Sequence, residues 1–209
     1  MLFPDVYVTK FFFKYGLDKA PGRLLELGCG NGNNARLFAE YGWTVTGLDI
    51  DSAALANARA NWENEPTGTS EFIEADLRDP LPDLEGPYDA LVANASLYYF
   101  ERNHLEALLD QVRPLLRPGA PVHILVRTTD DWRYGKGEAI EADTYRLNLW
   151  QTAEEGAVMT FYRPDDLRSL VEAHLGPLSE VTTLLSTHEN TQHGLLIDNH
   201  DVVIWGRVD

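Results

Sequence analysis

Two hydrophobic periods take turns along this chain. Short apolar blocks near 23–27, 43–49, 70–75, 88–94 and 120–127, rich in leucine and β-branched residues, predict strands. Between them, 33–41, 52–62 and 102–116 carry helical signals. The last is the clearest: Leu105, Leu108, Leu109, Val112, Leu115 and Leu116 form one stripe, and Arg117-Pro118-Gly119 ends it. Regular alternation of this kind predicts an α/β domain, a doubly wound and mostly parallel sheet with helices on both faces. Another helix is expected near 164–175, opened by Pro164-Asp165-Asp166, and two further β-rich runs lie at about 178–187 and 200–208.

The alternation breaks twice. Ahead of the first strand, Tyr7, Phe11, Phe12, Phe13 and Tyr15 crowd into a few residues; most of these rings belong in the core, and one is a candidate to close a site. After Val126, the segment 127–162 is long for a connection in a compact domain, and its Trp132, Tyr134, Tyr145, Trp150 and Tyr162 argue against simple disorder. It reads as a lid or substrate wall, with a surface excursion or a dimer contact as the alternative.

Candidate chemistry begins at Leu24-Leu25-Glu26-Leu27-Gly28-Cys29-Gly30-Asn31-Gly32, where a strand delivers an acid into a turn with glycine at every second position. Glycines at 28, 30 and 32 let backbone N–H groups approach a ligand, and Asn33 opens a helix whose N-terminus adds unpaired donors. A dinucleotide fingerprint is spaced Gly-x-Gly-x-x-Gly, and a carboxylate beside a pyrophosphate repels it; Glu26 suits a cationic amine. At Trp43-Thr-Val-Thr-Gly-Leu-Asp49, a second strand ends in acid about 20 residues past the first glycine, where a ribose-binding carboxylate is expected. Asp51-Ser52-Ala53-Ala54 reads as a helix cap and first turn, with Asp51 the cap.

From Glu26 to Asp51 the chain resembles the class I S-adenosylmethionine-dependent methyltransferases, and less sharply so over most of its length. The resemblance implies a Rossmann-like sheet closed by a C-terminal antiparallel hairpin, made here by the two β-rich runs. The Leu115-Leu-Arg-Pro-Gly119 turn into the fifth strand matches as well. The cofactor would be S-adenosylmethionine, with S-adenosylhomocysteine as product, held by Glu26, Gly28, Cys29, Gly30, Gly32 and Asn33. The resemblance assigns the adenosine hydroxyls to Asp49, the adenine face to Ile50, and the adenine amino group to Asp76, beside Leu77. Asn94, at the end of the fourth strand, would then face the transferred methyl with the aromatic turn through Tyr99. The Asn/Asp-Pro-Pro-aromatic motif of amino-group methyltransferases is absent, since Ala95-Ser96-Leu97 follows Asn94. Within the broad family the turn looks most like the tellurite-resistance and thiopurine-type small-molecule enzymes. A non-catalytic nucleoside-binding protein and an NAD-dependent oxidoreductase are the other readings.

Composition narrows the acceptor. In 209 residues there are 17 basic and 33 acidic side chains, a net charge of −16, which opposes binding to phosphate backbones. We therefore expect a small-molecule acceptor, no nucleic acid and no membrane, in a cytoplasmic monomer or homodimer forming one domain over 1–209. Residues 1–20 would cover the cofactor and 127–162 the substrate. Tyr98, Tyr99, Arg133, Tyr145, His188 and His193 are candidates for orienting or deprotonating the acceptor, with Tyr99, Arg133 and Tyr145 carried forward as catalytic. The lone cysteine is expected to pack, and no metal-ligand spacing is found. Valine at Gly28 or Gly30 is expected to abolish cofactor binding and leave the chain folded.

Overall fold

A computed structural model describes residues 3–62, 68–150 and 152–209. Within the stretches expected to cover cofactor and substrate, residues 1, 2 and 151 lie outside the described residues.

The parallel strands are β1 (Arg23–Leu27), β2 (Thr44–Asp49), β3 (Thr69–Glu74), β4 (Ala90–Asn94) and β5 (Pro121–Arg127). The helices are α1 (Val6–Lys14), α2 (Asn33–Glu40), α3 (Ser52–Trp62), α4 (Arg102–Val112) and α5 (Pro164–Leu175). Strands β6 (Gly137–Glu141), β7 (Thr144–Leu147) and β8 (Val158–Thr160) form a small antiparallel sheet, and β9 (Leu178–Gln192) and β10 (Leu195–Val208) form the closing hairpin. The main sheet runs β3-β2-β1-β4-β5-β10-β9, with β10 antiparallel to β5. Strand order reverses between β1 and β4, so their carboxyl ends flank the crevice where open α/β sheets bind ligands.

Alternation along β1 sorts its side chains. Leu25 and Leu27 enter the core shared with α4 and α5, while Leu24 enters the core shared with α1, α2 and α3. Glu26 follows Leu24 by two residues, so strand period puts it on that second face, at the ligand end of the strand.

Two elements exceed expectation. The aromatic cluster near the N-terminus is a helix capped by Asp5, whose carboxylate accepts from the Tyr7 and Val8 N–H groups. Val8, Phe11, Phe12 and Tyr15 provide the buried stripe at helical spacing. The hairpin strands extend well past the expected 187 and start before 200, because residues 186–200 continue to pair beyond the end of β5. That overhang supports the loop after β5: Thr128 N–H donates to the His200 carbonyl, and Trp132 N–H to that of Asp198. No helix among the described residues is long and apolar enough to cross a membrane.

Candidate active site

The glycine turn is clamped from both ends. Gly28 and Cys29 N–H groups donate to the Leu48 carbonyl at 2.7 and 3.0 Å, and Gly30 N–H donates to Asp49 Oδ2 at 2.7 Å. Gly32 closes the turn with φ 76° and begins α2. Each glycine answers a different neighbour. A Cβ on Gly28 would lie 2.2 Å from Ser96 Cβ, whereas one on Gly30 would meet nothing within 4 Å. Gly28 is thus required by the protein's own packing, and valine there strikes Ser96 before any ligand; the expectation of a folded Gly28→Val chain is corrected on that ground. Gly30 opens onto free space. Cys29 turns inward instead: a Cβ on Gly47 would fall 2.8 Å from its Sγ, and burial pushes its thiol well above the usual range. It packs, and only its backbone is available to a cofactor.

Glu26 is 1% exposed. Its Oε1 accepts from Asn34 Nδ2 at 3.1 Å, and its buried Oε2 has no partner among the described residues. Burial pushes its carboxyl up to about 8, with the Asn34 side chain and the Ala35 backbone N–H opposing the shift. Asn33 Oδ1, at the other end of the turn, is also a buried acceptor without a partner. Two buried oxygens at one glycine turn thus lack partners among the described residues, and since an unpaired buried polar group costs about 1–3 kcal/mol, a hydrogen-bonding ligand there would relieve the cost. Asn34 also links this site to the N-terminus, its Oδ1 accepting from Asp5 N–H at 2.8 Å.

Gly28, Asp49, Ile50, Asp76 and Leu77 line one cavity of about 500 Å³. Asp49 spans the turn, accepting from Gly30 and, at 2.9 Å, from Asp51 N–H. Asp51 in turn caps α3 through Ala53 and Ala54 N–H groups. Ile50 is 57% exposed, an apolar face left bare at the rim. Asp76 is held by the Arg78 guanidinium, whose Nε lies 2.8 Å from Oδ1, and this hydrogen bond keeps its carboxyl below the usual range.

The far wall was not foreseen in detail. Ala95, Ser96, Tyr99 and Phe100 follow β4, and Arg146, Gly156, Ala157 and Val158 come from the small sheet and its loops. Ala95 has φ 59°, a left-handed backbone at a non-glycine residue, and such strain is concentrated at functional sites. Ser96 Oγ donates to the Leu27 carbonyl at 2.7 Å, bolting this turn onto the glycine turn. Tyr99 O–H donates to Glu154 Oε1 at 3.3 Å; burial and the neighbouring Tyr98 push its phenol well above the ordinary value.

Arg133, Tyr145 and Asn94 do not join the cavity lining, and neither do Glu26, Cys29, Gly30, Gly32 and Asn33, which belong to the glycine turn beside it. Arg133 is 2% exposed; its Nε donates to Glu154 Oε2 at 2.6 Å and its Nη1 to Asp131 and Asn199, each at 3.1 Å. It is corrected from an acceptor contact to the hub of a buried ion network that joins the loop after β5 to the hairpin. Tyr145 packs against Tyr134 and Phe161, with centroids at 5.3 and 6.2 Å, while its neighbour Arg146 lines the cavity. Alternation along β7 explains the exchange: one position separates the two faces. Asn94 Oδ1 lies 2.9 Å from His123 Nε2, and His123 Nδ1 accepts from Trp205 Nε1 at 2.7 Å. Because the indole can only donate, Nε2 carries the imidazole proton and donates to Asn94. Burial pushes this histidine down to about 3, so it stays neutral. Asn94 is therefore turned toward His123 rather than toward the cavity. Of the two histidines considered, His188 lies 3.8 Å from Asp201 at the hairpin, away from the lining, as does His193 at the hairpin tip.

The chain belongs to the methyltransferase-domain family, whose sequence pattern matches residues 7–174. It is similar to the trans-aconitate 2-methyltransferase of Rhizobium rhizogenes, 39% identical over 104 residues. That stretch is 49% of this chain and 37% of the relative's length. Among solved structures, a SAM-dependent methyltransferase from Methanosarcina mazei superposes with a TM-score of 0.71 at 20% identity, covering 100% of both chains. The 1,6-didemethyltoxoflavin-N1-methyltransferase of Burkholderia thailandensis, solved with its substrate and S-adenosylhomocysteine, gives 0.61 at 20% identity over 96% of this chain and 76% of that one. These likenesses show the fold. S-adenosylmethionine, which the family implies, fits the residues present: buried oxygens without partners among the described residues at the glycine turn, open space over Gly30, and Asp49 and Ile50 along one cavity.

Proposed function

We propose that this protein transfers a methyl group from S-adenosylmethionine to a small-molecule acceptor. The observation that carries the reading is the buried, unpartnered Glu26 Oε2 beneath a glycine turn whose neighbouring cavity is edged by Asp49. In this reading Glu26, with Asn33, takes the ligand's ammonium, Asp49 takes the ribose hydroxyls, and Ile50 lies against the adenine. Asp76 and Leu77 meet its edge, and the backbone at Gly28, Cys29, Gly30 and Gly32 follows the ligand's chain.

When bound, the sulfonium supplies an activated methyl group. What this chain adds is alignment, because holding a nucleophile in line with the breaking bond supplies much of the rate. Tyr99, Phe100, Arg146, Gly156, Ala157 and Val158 would hold the acceptor and exclude water, so that the segment 127–162 would serve as substrate wall. The segment around Asp5 would support the cofactor end through the Asp5–Asn34–Glu26 link.

A mixed panel of acceptors, with S-adenosylhomocysteine release as the readout, tests the reading. Trans-aconitate, the acceptor in the names of several relatives, heads the panel, followed by thiols and chalcogen oxyanions for the tellurite-resistance and thiopurine-type likeness. Nucleoside binding without release under any acceptor would make the protein a binder rather than an enzyme. Binding of NAD in preference to S-adenosylhomocysteine would sink both.

A further inference from the structure

Resting on that reading, we infer that the side-chain amide of Asn94 receives the carboxylate at the cofactor's amino-acid end, beside the ammonium at Glu26. His123 and Trp205 are the positioning residues that hold the amide for it.

A zwitterionic amino-acid group needs a donor as well as an acceptor. Glu26 Oε2 offers the acceptor, and Asn33 buries another side-chain oxygen at the turn. The turn has few donors to give in return. The N–H groups of Gly28 and Cys29 donate to the Leu48 carbonyl, that of Gly30 to Asp49, and that of Gly32 to the Cys29 carbonyl. No cation stands in for them, since the groups acting on Glu26 are the Asn34 amide, the Ala35 N–H and the Asp49 carboxylate. A neutral donor on a neighbouring strand is then what the carboxylate needs.

Asn94 has the position. On β4, Ala90 and Val92 enter the core shared with α1, α2 and α3, as Leu24 does on β1, so alternation places Asn94 and Glu26 on that same face. The two strands are ladder neighbours, and Glu26 pairs with Val92, two residues before Asn94 at the carboxyl end of β4. Asn94 is half-buried, and its Nδ2 has no partner among the described residues.

Its orientation is fixed from behind. The Trp205 indole can only donate, so His123 Nδ1 accepts, His123 Nε2 donates, and the atom of Asn94 that receives this bond is the oxygen. An amide whose oxygen is held in this way turns its N–H donors away from His123. The relay needs three successive strands, and β4, β5 and β10 are successive in the sheet. Phe11 of α1 seals it, the ring centroids lying 5.6 Å from His123 and 6.2 Å from Trp205, and His123 is wholly buried. Burying polar side chains costs free energy unless each is paired; here every buried member is paired, and the row ends on a donor left open.

The test is calorimetric titration of the intact chain with S-adenosylhomocysteine, its decarboxylated and deaminated analogues, and 5′-methylthioadenosine, which lacks the amino-acid group. Asn94→Asp keeps an oxygen for His123 and replaces the N–H donors by a second carboxylate oxygen. It should weaken S-adenosylhomocysteine and the deaminated analogue about 30-fold or more, because a hydrogen bond to a charge gives way to repulsion. The decarboxylated analogue and 5′-methylthioadenosine should bind no more weakly than to the parent. Glu26→Gln should cross over, penalising the decarboxylated analogue and sparing the deaminated one. Trp205→Phe frees the His123 tautomer: nitrogen NMR should show the Nε2–H form in the parent and a mixture in the variant. S-adenosylhomocysteine affinity should then fall about threefold or more, with 5′-methylthioadenosine unaffected. In the parent, the Asn94 side-chain amide resonance should shift on adding S-adenosylhomocysteine and not on adding 5′-methylthioadenosine, a readout that depends on no variant folding. Equal binding of S-adenosylhomocysteine by the parent and Asn94→Asp, an equal loss with the decarboxylated analogue, or a His123 protonated at Nδ1 would overturn the inference. A parent that binds neither S-adenosylhomocysteine nor 5′-methylthioadenosine would instead overturn the methyltransferase reading beneath it.

Discussion

The glycine turn after β1 and the segment between β5 and α5 meet at one cavity, but they are built in opposite ways. The turn is made of neighbours: an acid, three glycines and an asparagine within eight residues, held by backbone bonds to Leu48 and Asp49. The segment is made of distant partners. Arg133 binds Glu154 and Asn199, Tyr99 reaches Glu154, and Trp132 leans on Asp198. A locally built site tolerates little change within it, whereas a wall assembled from afar can exchange its exposed faces and keep its frame.

The comparison breaks most visibly at Gly28. Gly28→Val should cost about 5 kcal/mol or more, since a branched side chain must occupy Ser96's place at a left-handed residue. Thermal unfolding checks this, and Gly28→Ala should be partly restored by Ser96→Gly. Gly30→Ala, facing open space, should instead fold with a penalty of about 1–2 kcal/mol and lose nucleoside affinity. If both glycine variants behave alike, the turn has no division of labour.

On the other side, Arg133→Met should lower stability by about 3–5 kcal/mol, roughly a 10 °C fall in Tm, because Asp131 and Glu154 are left buried and unpaired. Affinity for S-adenosylhomocysteine should stay within about threefold, ~0.7 kcal/mol. A stable Arg133→Met protein with no turnover would return Arg133 to the acceptor. Asp49→Ala reverses the pattern, weakening nucleoside binding about 100-fold, ~3 kcal/mol, through two lost hydroxyl contacts to a carboxylate. Unchanged affinity would move the ribose elsewhere.

Proton linkage sharpens the contrast further. Glu26's carboxyl is raised to about 8 in the empty fold from an ordinary 4.5, so its contribution to stability is full below pH 4.5 and is lost as pH rises through 8. A bound ammonium favours the carboxylate, so ligand binding at pH 7 should release about one proton. Calorimetry in buffers of different ionisation enthalpy reads that proton directly, and Glu26→Gln should abolish it. The smallest effect is expected at Tyr99→Phe, whose lost bond to Glu154 should cost ~1 kcal/mol or less in turnover. A loss of several hundredfold would make the phenol a catalytic group.

How much of this could be read from the chain follows from the same contrast. The parallel strands, their helices and the glycine turn were legible because hydrophobic period and local spacing specify them. Glu26, Asp49 and Ile50 sit where a reader of linear order would look. Arg133 and Tyr145 were plausible by residue type but depended on partners in the hairpin and on which way β7 alternates. Arg146 was overlooked for the same reason, being one position from Tyr145 on the other face. Helix α1 hid behind aromatic and β-branched residues that suit strands equally well; Asp5, capping it, was the available signal. His123 gave no sign at all, since its role depends on Trp205 across a ladder and Asn94 on the next strand.

The hairpin that supports the wall leaves the sheet with an unpaired border. Strand β9 lies outermost and is fifteen residues long, with a row of backbone groups open to a strand from another molecule. Its composition discourages that: threonine, serine, histidine, glutamate and asparagine dominate the overhang, Glu180 takes a left-handed backbone at φ 52°, and the ladder slips register between Trp205 and Arg207. Leu185, 68% exposed, is the adhesive point. Molecules of net charge −16 also repel one another, over about 8 Å at physiological ionic strength, which opposes contact between such borders. Colloidal stability and folding stability are therefore governed by different variables here, and added salt should shorten the shelf life of solutions whose individual molecules remain folded.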